Sequence, residues 1–166
     1  MARQGKSEGC LMGGERWLLL KSTKEADRLR EYLAPLDGSL EVPGGNGVWF
    51  DWTGKRRIEV GYQANVLCSE VADLTCREII KRFGVIKIGA DSVGWYAESD
   101  WKRDPTEHPR SATARYGPHA SWAEWLGGYK QAFSHYFGRY PDDYDDEQWA
   151  ALEGPVVATF TKLDAR

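Results

Sequence analysis

Long apolar runs are missing from this chain. The longest near its start, Trp17-Leu18-Leu19-Leu20, is closed by Arg16 and Lys21, far short of the roughly 18 residues that cross a bilayer. No membrane association is expected, and the expected location is cytoplasmic. Cysteine is scarce, with three in 166 residues, and an odd count argues against a disulfide framework. Cys68 and Cys76 fall on one helical segment, where the rise between them is about 12 Å, beyond the roughly 7 Å that a disulfide spans. They are also too far apart to share a zinc ion, and Cys10 stands alone near the start. Histidine is equally scarce: His108, His119 and His135 form no H-x-x-x-H, H-E-x-x-H or Cys/His ligand spacing. No EF-hand loop, Walker A, G-x-G-x-x-G or G-x-S-x-G pattern is present. Neither a metal nor a cofactor is expected.

Aromatic residues are abundant instead: 8 Trp, 8 Tyr and 5 Phe. The formal net charge is −3, from 22 Lys+Arg against 25 Asp+Glu, and it is unevenly placed. Residues 139–166 hold seven acidic and three basic side chains, net −4, leaving the first 138 residues at net +1. At this length the chain is one domain with an extension, able to bury its own core.

Residues 1–14 read as a basic, Gly-containing flexible leader. Glu15–Lys21 is a short strand. Ser22 and Glu25 then form a capping box, followed by Ala26, Leu29, Leu33 and Leu36 at helical spacing until Pro35–Gly38 stops the helix. Val42–Asn46 is a loop. Val48, Phe50 and Trp52 alternate with Trp49, Asp51 and Thr53, and Ile58, Val60 and Tyr62 share one face likewise, so Val48–Thr53 and Arg56–Tyr62 make a hairpin. An odd-length loop opposing Phe50 to Ile58 and Asp51 to Arg57 keeps the apolar residues together. Asn65 caps a helix over Val66–Phe83, with Cys68, Ala72, Cys76 or Thr75, Ile79 and Phe83 buried and Glu70, Asp73, Arg77, Lys81 and Arg82 in solvent. Val85–Gly89 is a fourth strand, continued after Asp91 as Val93–Tyr96.

The order β-α-β-β-α-β over residues 15–98 implies an α+β protein: a ferredoxin-like sheet with two helices on one face. Residues 99–118 make a long polar loop, and 119–166 a helical extension packed on the core. Within that extension Trp122, Trp125, Leu126, Tyr129, Phe133, Tyr136 and Phe137 form an aromatic helical stripe, which must be buried against something. The sheet's second face is one candidate. A short helix around Trp149–Leu152 and a final strand at Val156–Phe160 complete the expectation.

Recognition residues are sought among the aromatics and charges that this plan does not absorb. Trp49, Asp51, Arg57 and Glu59 share the second sheet face. Trp101, Arg103, Arg110 and Tyr116 combine stacking and charge in the long loop, as protein hot spots do. Asp142, Asp143, Asp145 and Asp146 form an acidic run that suits a basic partner or the start of the following helix. Aromatic excess, an acidic tail and the missing catalytic signatures point to a non-catalytic protein-interaction module, a bacterial or phage inhibitor or immunity-type protein that blocks another protein. The alternatives are a single-stranded nucleic-acid binder using Trp49 and the loop, and a small enzyme whose centre would be Asp91, Glu98 and His119.

Overall fold

A computed structural model describes residues 14–62, 68–90, 94–97 and 146–166. The chain enters as β1 (Gly14–Leu20), one residue ahead of the expected start, with Arg16, Leu18 and Leu20 on one face and Glu15, Trp17 and Leu19 on the other. Helix α1 (Thr23–Leu33) follows at once. Ser22 caps it by accepting a hydrogen bond from the Glu25 amide at 3.1 Å, an interaction that typically contributes about 1 kcal/mol. The second half of the expected capping box is spent elsewhere: the Glu25 carboxylate accepts from the Gly84 amide at 2.7 Å, tying α1 to the far end of the chain's second helix. A 3-10 turn (Ala34–Leu36) with Asp37 in the left-handed region then ends the helix at the expected Pro35–Gly38 stop.

Three strands come next: β2 (Ser39–Val42), β3 (Asn46–Trp52) and β4 (Arg57–Tyr62). Strand β2 is not among the expected elements, and only its last residue, Val42, falls in the expected loop. It is short, but Leu40 and Val42 are buried while Glu41 is exposed, and Pro43-Gly44-Gly45 folds it back on β3. Both glycines of that turn take positive φ, 98° and 82°, which only glycine adopts without cost. The β3–β4 hairpin has the expected odd loop, but its register lies two residues from the expected one. Trp52 opposes Ile58, Phe50 opposes Val60, Asp51 opposes Glu59 and Trp49 opposes Gly61.

Helix α2 (Cys68–Arg82) leads into β5 (Val85–Ala90) and then β6 (Gly94–Ala97). These two strands pair antiparallel, Ala90 opposite Gly94 and Lys87 opposite Ala97, so Gly94–Ala97 folds back beside β5 and does not continue it. At a bulge between Leu19 and Leu20 the β1–β5 register slips, bringing Val85 opposite Leu20 and leaving Ile86 exposed. The described elements end with α3 (Asp146–Asp164), one 19-residue helix where a short helix and a strand were expected. Gly154-Pro155 and the β-branched residues after it are helix breakers by local propensity. Leu152, Val156, Phe160 and Leu163 nevertheless recur at helical spacing and are all buried, and tertiary packing overrides the local preference.

The protein is an α+β fold: an antiparallel sheet with three described helices. The sheet has six strands in the order β2-β3-β4-β1-β5-β6, not the four expected, because tight hairpins add β2 and β6 at its edges. Leu18, Leu20, Leu40, Val48, Ile58, Val60 and Ile88 meet Ala26, Leu29 and Leu33 of α1, most of α2, and the α3 stripe in one core. Each fully buried Leu, Ile or Val among them contributes about 1.5–3 kcal/mol through removal from water.

Helix α2 departs most from its pattern. Every residue from Glu70 to Ile80 is buried, including Glu70, Asp73 and Arg77, which were assigned to solvent. The reason is pairing. Arg16 on β1 donates through Nε to Asp73 Oδ1 at 2.6 Å, and Arg77 donates through Nη1 to Glu153 Oε2 on α3 at 2.5 Å. A buried charge is tolerated when a partner neutralises it.

Candidate functional site

The sheet face away from the core carries the sequence-derived candidates. Strand alternation places Trp49 and Asp51 of β3, Arg57 and Glu59 of β4, and Glu15 and Trp17 of β1 on it together. Trp17 and Trp49 neither belong to the core nor pack against it, unlike Phe50, Trp52 and Tyr62 on the opposite face. The Trp17 indole donates to Glu15 Oε2 at 3.0 Å. The Arg57 guanidinium lies 4.9 Å from the centre of the Trp17 ring and donates to Glu59 Oε1 at 3.4 Å, a cation–π contact braced by an ion pair. Glu15 and Glu59 are nearly covered, at 6% and 5% exposure.

Trp49 is the most constrained member. Its cross-strand neighbour is Gly61, and a Cβ there would come within 2.3 Å of the Trp49 Nε1. The indole occupies the space that any larger residue would fill, and its buried Nε1 has no hydrogen-bond partner among the described residues. An unsatisfied buried donor costs about 1–3 kcal/mol.

Between sheet and α2 lies a second polar group. Arg16 donates to Asp73 and, through Nη1, to Tyr62 Oη at 3.0 Å, with its guanidinium 5.1 Å from the Tyr62 ring centre. Burial opposes the Arg16 charge, but Asp73 and Tyr62 more than offset it and raise its pKa. Burial first, and then Asp73, push the neighbouring Cys76 thiol far above the ordinary range. A thiol held protonated in this way is no nucleophile.

The third group joins the helices. Arg82 grips Asp164 with two bonds of 2.8 Å and Glu78 Oε1 at 2.9 Å, while Arg77 Nε donates to Glu78 Oε2 at 2.7 Å. Tyr32 of α1 donates to Asp164 Oδ1 at 2.6 Å. Arg82 first and Tyr32 second hold the Asp164 carboxyl down to about 2. Burial pushes Glu78 up, yet Arg82, Arg77 and Lys81 bring it below its ordinary value. Beside this network opens a cleft of about 330 Å³ lined by Arg28, Glu31, Tyr32, Pro35, Phe83, Leu163 and Arg166. The sequence reading missed it. Arg28 and Tyr32 stand one helical turn apart on α1, but the third wall required recognising α3 as a helix.

Of the sequence-derived partner residues, Trp49 lies on β3 with its face neighbours Asp51, Arg57 and Glu59, and Asp146 stands at the first position of α3. Trp101, Arg103, Arg110, Tyr116, Asp142, Asp143 and Asp145 lie outside the described residues, as do Asp91, Glu98, His119 and the aromatic stripe of 121–137. Among the described residues no cluster of His, Cys, Asp or Glu is placed to hold a metal ion, and no helix is long and apolar enough to cross a membrane. No protein-family model matches the chain, and neither the curated proteins nor the solved structures compared with it provide a match.

Proposed function

We propose that this protein is a non-catalytic protein-interaction module whose recognition surface is the second sheet face around Trp17, Trp49 and Arg57. The reading rests on one observation: two tryptophans and an arginine share a sheet face outside the core that serves all three described helices. Trp and Arg are enriched among binding hot spots. Glu15 and Glu59 are nearly covered and hold Trp17 and Arg57 in place, and the chain's net charge of −3 suits a partner carrying basic residues better than the phosphates of single-stranded nucleic acid. An inhibitor or immunity-type role is the form of this proposal that the acidic run 142–147 suits. On fold, we read the central strands β3-β4-β1-β5, connected through α1 and α2, as a ferredoxin-like unit with β2 and β6 added at its edges.

The test is affinity capture with the full-length chain, comparing the wild type with Trp17→Ala, Trp49→Ala and the control Lys24→Ala, an exposed residue on α1. A partner captured by wild type and control, and depleted about tenfold or more in both Trp variants, supports the proposal. Indistinguishable capture by all four proteins overturns it. Salt-sensitive binding of a single-stranded oligonucleotide that Trp49→Ala abolishes would replace it with the nucleic-acid reading.

A further inference from the structure

The cleft between α1, the end of α2 and the end of α3 is distinct from the sheet face and has walls fixed by interactions that any occupant would find already made. Tyr32 is held by Asp164 and meets Phe83 edge-on, their ring centres 5.2 Å apart at 68°. Asp164 is itself clamped by two bonds from Arg82. Arg28 lies 5.4 Å from the Phe83 ring centre and pairs with Glu25, which is anchored on the Gly84 amide. Pro35 adds a rigid ring and Leu163 a branched aliphatic wall. The cleft's volume lies at the small end of the range for ligand sites, which often form between helices.

Its chemistry selects a ligand class. Tyr32, Pro35, Phe83 and Leu163 offer flat apolar walls. Arg28, which also pairs with Glu25, and Arg166 add two guanidiniums, and Glu31 one carboxylate. Two guanidiniums beside apolar walls suit a single carboxylate, and Glu25 and Glu31 disfavour polyanions such as nucleoside polyphosphates by repulsion. Guanidinium recognises carboxylate through paired, charge-assisted hydrogen bonds. We infer that this cleft is a binding site for a small aromatic monocarboxylate, its ring among Tyr32, Pro35, Phe83 and Leu163 and its carboxylate at Arg28 and Arg166. Because the walls are pre-formed, little ordering cost opposes binding.

Titration of the isotope-labelled full-length chain with phenylacetate, followed by amide chemical shifts, tests the inference. Saturable shifts confined to the amides around Tyr32, Phe83 and Leu163 are expected, with an affinity on the order of millimolar for so small a ligand. Phenylacetamide, which has the same shape without the charge, should bind about tenfold more weakly. Arg28→Gln and Arg166→Gln should each weaken phenylacetate binding several-fold. Arg30→Gln, which removes the guanidinium 4.0 Å from the Trp52 ring on a different part of α1, should leave it unchanged. Arg166 is exposed, so its replacement reports on the cleft even if Arg28→Gln perturbs the fold. Equal affinity for acid and amide, shifts centred elsewhere, or no saturable response would each overturn the inference. None of these outcomes touches Trp17 or Trp49, so the site and the proposed sheet-face function fail or stand separately.

Discussion

Replacing Asp73 by Asn should be among the most damaging single changes in this protein. The carboxylate lies 2.6 Å from the Arg16 Nε, and both side chains are nearly covered, at 4% and 3% exposure. Asn keeps the shape and removes the charge. At an effective dielectric constant near 20, opposite charges about 4 Å apart attract by about 4 kcal/mol. Once the Asp73 charge is gone, that attraction no longer offsets the desolvation of the buried guanidinium. Breaking one side of a buried pair typically costs about 3–5 kcal/mol, against a total domain stability of about 5–15 kcal/mol. Urea unfolding followed by tryptophan fluorescence gives the loss from the shift in midpoint at constant slope. The double change Arg16→Met with Asp73→Leu removes both charges and should recover most of the loss, because an apolar pair of similar volume carries no desolvation penalty. A loss below about 1 kcal/mol for Asp73→Asn, or a double variant no better than the single one, would refute the reasoning. The ion pair would then be wet and of little weight.

Acidification should loosen the junction of α1, α2 and α3. Asp164 is held down to about 2, so its pairing with Arg82 and Tyr32 stabilises the fold above the ordinary carboxylate range and is lost as the pH falls from about 4 towards 2. Its side chain is 46% exposed, so solvent screening limits the loss to about 1 kcal/mol. Stability measured over that window should fall less steeply for Asp164→Asn than for the wild type, and parallel curves would contradict the assignment. Gly61→Ala should displace the Trp49 indole, since the new Cβ would sit 2.3 Å from Nε1 and 2.5 Å from Cε2. A cost of about 1–3 kcal/mol with a shifted fluorescence spectrum is expected, and wild-type behaviour would mean that the ring moves freely. Pro155→Ala should raise the stability by about 1–3 kcal/mol by restoring a backbone donor inside α3. A destabilised variant would show that the proline fits that site better than a regular helix does.

The parts of the fold legible in the sequence were those in which burial and periodicity agree. Alternation alone put Trp49, Asp51, Arg57 and Glu59 on one face, because a strand's parity follows from which residues must be buried. The pairing of β3 with β4 was misplaced by two residues for the same reason: a shift of two keeps every side chain on its face, so the apolar pattern is blind to it. Strand β2 was obscured by its length, with only Leu40 and Val42 to mark it. In α3, local and tertiary signals oppose each other. Gly154, Pro155 and four β-branched residues argue against a helix, and only the stripe Leu152, Val156, Phe160 and Leu163 argues for one.

Helix α2 misled in a more instructive way. Assigning Glu70, Asp73 and Arg77 to solvent assumes that a charge without a nearby partner in sequence has none in space. Asp73 pairs with Arg16, 57 residues away on β1, and Arg77, besides the adjacent Glu78, pairs with Glu153, 76 residues away on α3, separations that leave no mark on a local pattern. The pairing also bears on function. Charges on the interior of α2 are committed to holding β1 and α3, so they are not available to a partner or ligand. Among the described residues, the two sets proposed for recognition lie outside that framework: Trp17, Trp49 and Arg57 on the second sheet face, and Arg28 and Arg166 at the cleft beside Phe83. The first was visible because it follows from strand parity. The second was not, because Arg28 and Arg166 become neighbours only when α3 is one continuous helix docked by those same buried charges.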